Sequence, residues 1–157
     1  MVAFKKILLT TDLSSNAEAA VPYAFELARQ HKGEVLLTHV FEDEHYYEPV
    51  ADVNMIFINM DWFKSLHKQH EVLFEHYTAA LHEKMNDVPL RKFFLKGNAV
   101  KQILELAKSE DVDVIVIATH GRTGLNHLIH GSVAEKIVRL SPQPVLTIRP
   151  NADTNLR

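Results

Sequence analysis

The residues best suited to chemistry lie in one stretch, Val114–Val133, which reads VIVIATHGRTGLNHLIHGSV. A β-branched apolar run closes at Ala118, Gly121, Gly124 and Gly131 come after it, and Ser132 opens an amphipathic segment. That is the order buried strand, glycine-rich loop, helix N-terminus. Glycines let backbone approach an anion closely, and the free N–H groups of a helix start point at it, so the pattern suits a bound phosphate. Ser132 and Glu135 also spell a capping box, S-V-A-E, which accounts for the serine but not for the three glycines. The spacing Gly121-x9-Gly131-Ser132 lacks the lysine of a Walker loop, and no G-x-G-x-x-G comes after the first strand, so a P-loop ATPase and the usual dinucleotide fingerprint are both disfavoured.

Other chemistries find little support. The chain has ten histidines. His67/His70 and His127/His130 are i, i+3 pairs, with His120 close in sequence to the second. No carboxylate completes a set at metal-ligand spacing, so no protein metal site is expected and most of these histidines read as solvated helix or loop residues. No catalytic group is assigned: Ser132 has no recognisable base partner and no G-x-S-x-G elbow exists. His120 or Asp12 could assist slow hydrolysis of a bound nucleotide, but nothing in the spacing demands it. The 157 residues include no cysteine, which removes disulfides and thiol catalysis. A net charge of −3 without a Lys/Arg run argues against broad binding to nucleic acid or anionic membrane. MVAFKKILLTTDLSS has too short an apolar run for a signal peptide, and no segment reaches the roughly 18 apolar residues of a membrane helix. A cytoplasmic protein with one domain, residues 1–150, and a polar tail, 151–157, is expected.

Elements that would position the loop can be read from periodicity. Lys6–Thr11 and Glu34–Val40 are apolar runs that read as buried strands. Between them Ala17–His31 reads as a helix, with Val21, Ala24, Phe25 and Ala28 on one face, Ser15 and Glu18 as a capping box, and Gly33 as its stop. Phe41–Met60 reads as a long connection with a short helical piece. Asp61–Asp87 reads as a long helix whose core face is Trp62, Leu66, Leu73, Tyr77, Ala80 and Leu81. Strand Arg91–Leu95 comes next, then a turn at Gly97-Asn98, and helix Ala99–Ser109 capped by Asn98 with Val100, Ile103, Leu104 and Ala107 as its stripe. Strand Asp113–Ala118, helix Val133–Leu140 and strand Val145–Ile148 complete the chain, Pro142 and Pro144 separating the last two. This alternation of strands and helices implies an open parallel α/β sheet with helices on both faces. In such a sheet Asp12, Val40 and Ala118, each at the carboxyl end of a strand, can converge on one crevice.

The residues then carry a specific resemblance. ILLTTDLSSNAEAAVPYAFELA, EVLLTHVFE and VDVIVIATHGRTGLNHLIHGSVAEKIVRLSPQPVLTIRP resemble the universal stress protein family over nearly the whole chain. Its nucleotide pattern is G-x2-G-x9-G-[ST]; Gly121, Gly131 and Ser132 match in place, while Ala118 stands at the first glycine, adding a methyl group where backbone and nucleotide come close. The resemblance implies a five-stranded parallel sheet in the order 3-2-1-4-5, a Rossmann-like adenine-nucleotide fold. It implies that Asp12, with the backbone of Thr10 and Thr11, lies beside adenine or ribose and that Val40 presents backbone groups to the adenine edge. Ala118, Thr119, His120 and Gly121 would line the ribose. Gly121, Gly131, Ser132 and Val133 would hold the phosphates, with Gly124 in the same loop and Arg122 and His120 adding charge. The plainer reading of Asp12 is a turn carboxylate steadying the helix after it. The ligand implied is ATP, or AMP or ADP, with magnesium or manganese bridging the phosphates, and the role is nucleotide-dependent regulation in stress tolerance. Alternatives are a slow ATP hydrolase acting as a timer and a nucleotide-free dimeric interaction module. The last strand, Val145–Ile148, reads as an edge that pairs two copies into a homodimer.

Overall fold

The computed structural model describes residues 2–42, 53–119 and 132–150, with the backbone alone for 53–60 and Ser132. Five strands, β1 (Lys6–Thr10), β2 (Glu34–Phe41), β3 (Leu90–Lys96), β4 (Val114–Ala118) and β5 (Val145–Ile148), form one parallel sheet in the order β3-β2-β1-β4-β5. The expected order holds, with β1 at the centre. Four helices cover it: α1 (Val21–His31), α2 (Val53–Lys84), α3 (Ala99–Ser109) and α4 (Ser132–Leu140). Side chains alternate across each strand, so the sheet has two separate cores. On one face Ile7, Leu9, Val35, Leu37, Val114 and Val116 meet α1 and α2 through Ala24, Phe25, Phe74 and Leu81. On the other, Leu8, Leu36, Ile115 and Ile117 meet α3 and α4 through Ile103, Ala107, Ala134 and Ile137. The apolar runs of β1, β2 and β4 are the consequence of being covered on both sides.

Several local expectations hold. Asn98 Oδ1 accepts the Lys101 N–H at 3.0 Å and caps α3, whose range is as expected. Val21, Ala24, Phe25 and Ala28 are all buried. Along α3, Ile103 and Ala107 are buried while Val100 and Leu104 are half-buried on the same core.

Three expectations need correction. The Ser15–Glu18 capping box does not form; a 3-10 turn at Ala17–Ala20 precedes α1, and it is Ser14 Oγ that accepts the Ala17 N–H, at 3.3 Å. Gly33 is not the left-handed residue that closes α1. Lys32 takes that conformation, at φ 51°, and the Gly33 N–H donates to Ala28 O at 2.8 Å. Glycine is needed at 33 for a different reason: a Cβ there would stand 2.5 Å from Lys5 O, where β1 and β2 begin to pair.

The third correction concerns α2, which begins at Val53 rather than Asp61 and ends at Lys84. No glycine or proline interrupts residues 53–84, so the apolar stretch and the amphipathic one wind as a single helix. Its inward face is also turned from the one expected. Phe74, Thr78 and Leu81 are buried, whereas Trp62 and Leu73 are 53% and 54% exposed and Ala80 is exposed. Tyr77 and Leu66 are half-buried. The inward row includes Phe63, His67, His70 and Phe74, because rings on β2 and β3 face it. Counting histidine as polar displaces the apparent face.

Candidate functional site

The order of the strands places the reversal of winding between β1 and β4. β1 is followed by β2 on one side, and the chain later crosses back to lay β4 on the other. Crossovers leave the sheet in opposite directions there, so the carboxyl ends of β1 and β4 bound a crevice. Thr11-Asp12 leaves one wall and Ala118-Thr119 the other. In register, Leu9 stands opposite Val116, two residues before each exit.

The β1 exit is tightly held. The Thr11 N–H donates to Thr38 O at 2.9 Å, extending the β1–β2 ladder by one bond. Thr11 Oγ1 accepts the Leu13 N–H at 3.0 Å. Asp12 Oδ1 accepts the Ser14 N–H at 3.0 Å and also the Ser14 hydroxyl. This is an Asx turn, so the turn role considered for Asp12 is present. It holds Leu13 at φ 63°, a left-handed conformation that costs a non-glycine residue about 1–2 kcal/mol. Thr10 and Thr11 are buried, Asp12 half-buried.

On the β4 side the Thr119 N–H donates to Ile148 O at 2.9 Å, anchoring the exit to β5. Ala118 is half-buried, lies opposite Ile148 and packs on the α1/α2 core. Val40 lies in β2 at the same edge, opposite Leu95 and packed on the α3/α4 core. Ser132 is the first residue of α4, and Val133 in its first turn is half-buried. His120, Gly121, Arg122, Gly124 and Gly131 lie outside the described residues, as does any capping bond of the Ser132 side chain. Thr10, Thr11, Asp12, Val40, Ala118 and Thr119 thus share the carboxyl edge of the sheet.

Three further residues take roles at this edge that the sequence does not show. His39, 4% exposed, points to the α2 side of β2. Its Nδ1 is 2.9 Å from Thr11 O, and its Nε2 is 3.2 Å from Nδ1 of His70 on α2. The two rings stack with centroids 5.5 Å apart, and the Phe74 and Phe94 rings lie close to His39. His70 and His67 therefore pack against the sheet, contrary to the expectation that they are solvated. The available signal was a histidine inside an otherwise apolar strand, since a buried polar group needs partners. The third residue is Tyr77. Its hydroxyl is buried and meets no hydrogen-bond partner among the described residues. Burial first, then the Glu18 carboxylate, pushes its ionisation up to about 12; Asp12 adds to this, and the Thr11 side chain opposes it without reaching bonding geometry. Among the described residues no three His, Cys, Asp or Glu side chains stand together as a metal site, and no helix is long and apolar enough to cross a membrane.

One open parallel sheet ordered 3-2-1-4-5, covered by helices on both faces and creviced between β1 and β4, defines a Rossmann-like α/β protein. The sequence matches the profile of the Universal stress protein family over residues 3–149, and the chain belongs to that family. It is 27% identical to Universal stress protein MJ0577 of Methanocaldococcus jannaschii over 158 residues, which covers 94% of this chain and 96% of that one. The solved structure of MJ0577 superposes with a TM-score of 0.80 at 24% identity, covering 97% of this chain and all of the other. A universal stress protein solved in complex with cAMP gives a TM-score of 0.65 at 16% identity, covering 96% of this chain and 100% of that one. One from Archaeoglobus fulgidus in complex with dAMP gives 0.62 at 19% identity, with 94% and 99% covered.

Proposed function

We propose that the protein binds an adenine nucleotide, ATP in the first instance, in the crevice between β1 and β4, and that occupancy regulates what the protein does. The observation that carries this reading is the meeting of Thr11-Asp12 and Ala118-Thr119 at the reversal of the sheet, with a glycine-rich stretch leading from there into the N-terminus of α4. Each part has a physical task. Asp12 offers a carboxylate that can accept hydrogen bonds from ribose hydroxyls, and Val40 offers backbone groups to the adenine edge. Gly121 and Gly131 give the phosphates close access to backbone N–H groups, and Ser132 with Val133 adds the positive end of α4. His120 and Arg122 would add positive charge toward the phosphates, and magnesium or manganese arriving with the nucleotide would offset their negative charge. The adenine ligands of the cAMP and dAMP complexes support the same class of ligand.

Regulation then works as a population shift. A nucleotide that binds one arrangement of the glycine stretch and α4 better than another moves the balance between them. The setting is stress response in the cytoplasm, with the protein acting as a homodimer paired through β5. Mass spectrometry of ligand released from freshly purified, denatured protein tests the ligand, and calorimetric titration with ATP and magnesium tests the site. Gly131→Val should abolish binding, because a β-branched side chain would block the close approach of phosphate to the backbone. Unchanged ATP affinity in a folded Gly131→Val protein would remove the site assignment.

A further inference from the structure

Thr11 is held on three sides: its N–H by Thr38, its hydroxyl by Leu13, and its carbonyl by His39. The third contact is unlike the others because it comes from a side chain of β2 that is itself in contact with α2. A carbonyl has no proton to give, so His39 Nδ1 must carry the hydrogen and donate to Thr11 O. In the neutral ring Nε2 is then an acceptor, and the hydrogen between the rings belongs to His70 Nδ1. The two bonds run in one direction, from α2 through β2 to the end of β1. The Thr11 carbonyl holds the His39 proton on Nδ1, and the His70 N–H, donating to Nε2, steadies the ring in the orientation that faces Thr11. Without that donor the ring is freer to turn and the bond to Thr11 weakens.

Position also argues for more than packing. Val35, Leu37 and Phe41 on the same face of β2 are apolar and buried, and His39 interrupts them between the rings of Phe74 and Phe94. An apolar side chain would fill the site with no polar atom to satisfy. A histidine there makes sense if its ring nitrogens have a task, and one of them ends on the residue next to Asp12.

We propose that His39 and His70 are positioning residues of the nucleotide site: they hold Thr11 and hence the Asp12 turn, and they make the seating of α2 on β2 a determinant of nucleotide affinity. The inference rests on the nucleotide reading of the β1–β4 crevice. A change that tilts or lifts α2 at His70 alters the site without touching it, which gives this helix a route of control over binding.

Two substitutions at one position separate positioning from packing. Asn places its amide N–H about where Nδ1 of His39 lies and keeps the bond to Thr11; Gln reaches toward the Nε2 position and does not. His70→Phe keeps the ring contacts and removes the donor. The proteins compared are wild type, His39→Asn, His39→Gln, His70→Phe and Asp12→Ala. Each is titrated with ATP and magnesium, melted, and, free of ligand, recorded for the backbone amide shifts of Thr11–Ser14. His39→Gln is expected to bind about tenfold more weakly, the loss of one well-placed hydrogen bond. His39→Asn should stay within about threefold of wild type, and His70→Phe should fall between them. Ligand-free amides of Leu13 and Ser14 should move in His39→Gln and His70→Phe but hold in His39→Asn. If wild type binds no nucleotide, the nucleotide reading fails, and the amide shifts alone decide whether His39 positions the turn. If His39→Gln does not fold, His70→Phe carries the test. Equal behaviour of His39→Asn and His39→Gln, or unmoved amides in His70→Phe, overturns the proposal.

Discussion

Replacing Asp12 separates its two roles. The carboxylate accepts two hydrogen bonds from Ser14, one from the backbone and one from the hydroxyl, and these help keep Leu13 in its left-handed conformation. Each bond contributes about 1 kcal/mol net, so Asp12→Ala should destabilise the fold by about 1–2 kcal/mol. For a chain of this size that is a fall in Tm of about 3–6 °C. Asp12→Asn keeps an acceptor oxygen in place and loses only the charge, so its fall should be about a third as large. If the carboxylate also accepts from the nucleotide, Asp12→Ala loses at least about tenfold in ATP affinity, close to 1.4 kcal/mol, while Asp12→Asn loses less. Urea unfolding measures the first effect and calorimetric titration the second. An Asp12→Ala protein with unchanged stability refutes the Asx turn as a support. One that is less stable but binds ATP with wild-type affinity confines Asp12 to the turn and removes it from the site.

The remaining predictions concern the other wall, the edge and the tyrosine. Ala118→Gly should tighten ATP binding in calorimetry if the methyl group crowds the ribose; equal or weaker affinity would mean the crevice already accommodates alanine. Pro144 O, just before β5, accepts the Ile115 N–H and Ile148 O accepts the Thr119 N–H, and this alternation turns the backbone groups of Val145 and Thr147 away from the sheet. Thr147→Pro removes an outward donor and Val145→Lys adds charge, so both should shift a dimer toward monomer in light scattering. A wild type already monomeric at tens of micromolar would exclude the β5 pairing. Tyr77→Phe removes a buried hydroxyl without a partner among the described residues and should raise stability by about 1 kcal/mol, or about 2–4 °C in Tm. Because Tyr77 ionises near 12 when folded against 10.0 ordinarily, its cost to the fold is constant below pH 10 and grows as pH rises from there through about 12. Urea unfolding across that range should show the loss of stability in wild type but less of it in Tyr77→Phe, and equal slopes would count against the assignment.

Sequence alone determined the elements whose patterns are local. The apolar runs of β1, β2 and β4, the stripe of α1 and the Asn98 cap depend on residues within a few positions of one another, so their physics is readable along the chain. The alternation of strands and helices was enough to imply a parallel sheet, but not the order of its strands, which came from family likeness; order depends on which crossovers pack where. Capping and closure around α1 each lie one residue from the positions the pattern suggests, because the Asp12 turn draws Ser14 to the start of the 3-10 turn and Lys32 takes the left-handed conformation while bonding Ala28 and Arg29. Gly33 was noticed for its conformational freedom, whereas the fold uses its lack of a side chain beside Lys5. The inward face of α2 and the roles of His39, His70 and Tyr77 were decided only in three dimensions. A histidine reads as polar in a sequence. Its burial depends on a carbonyl 28 residues away in the chain and a second ring 31 residues away, and only tertiary packing brings those together.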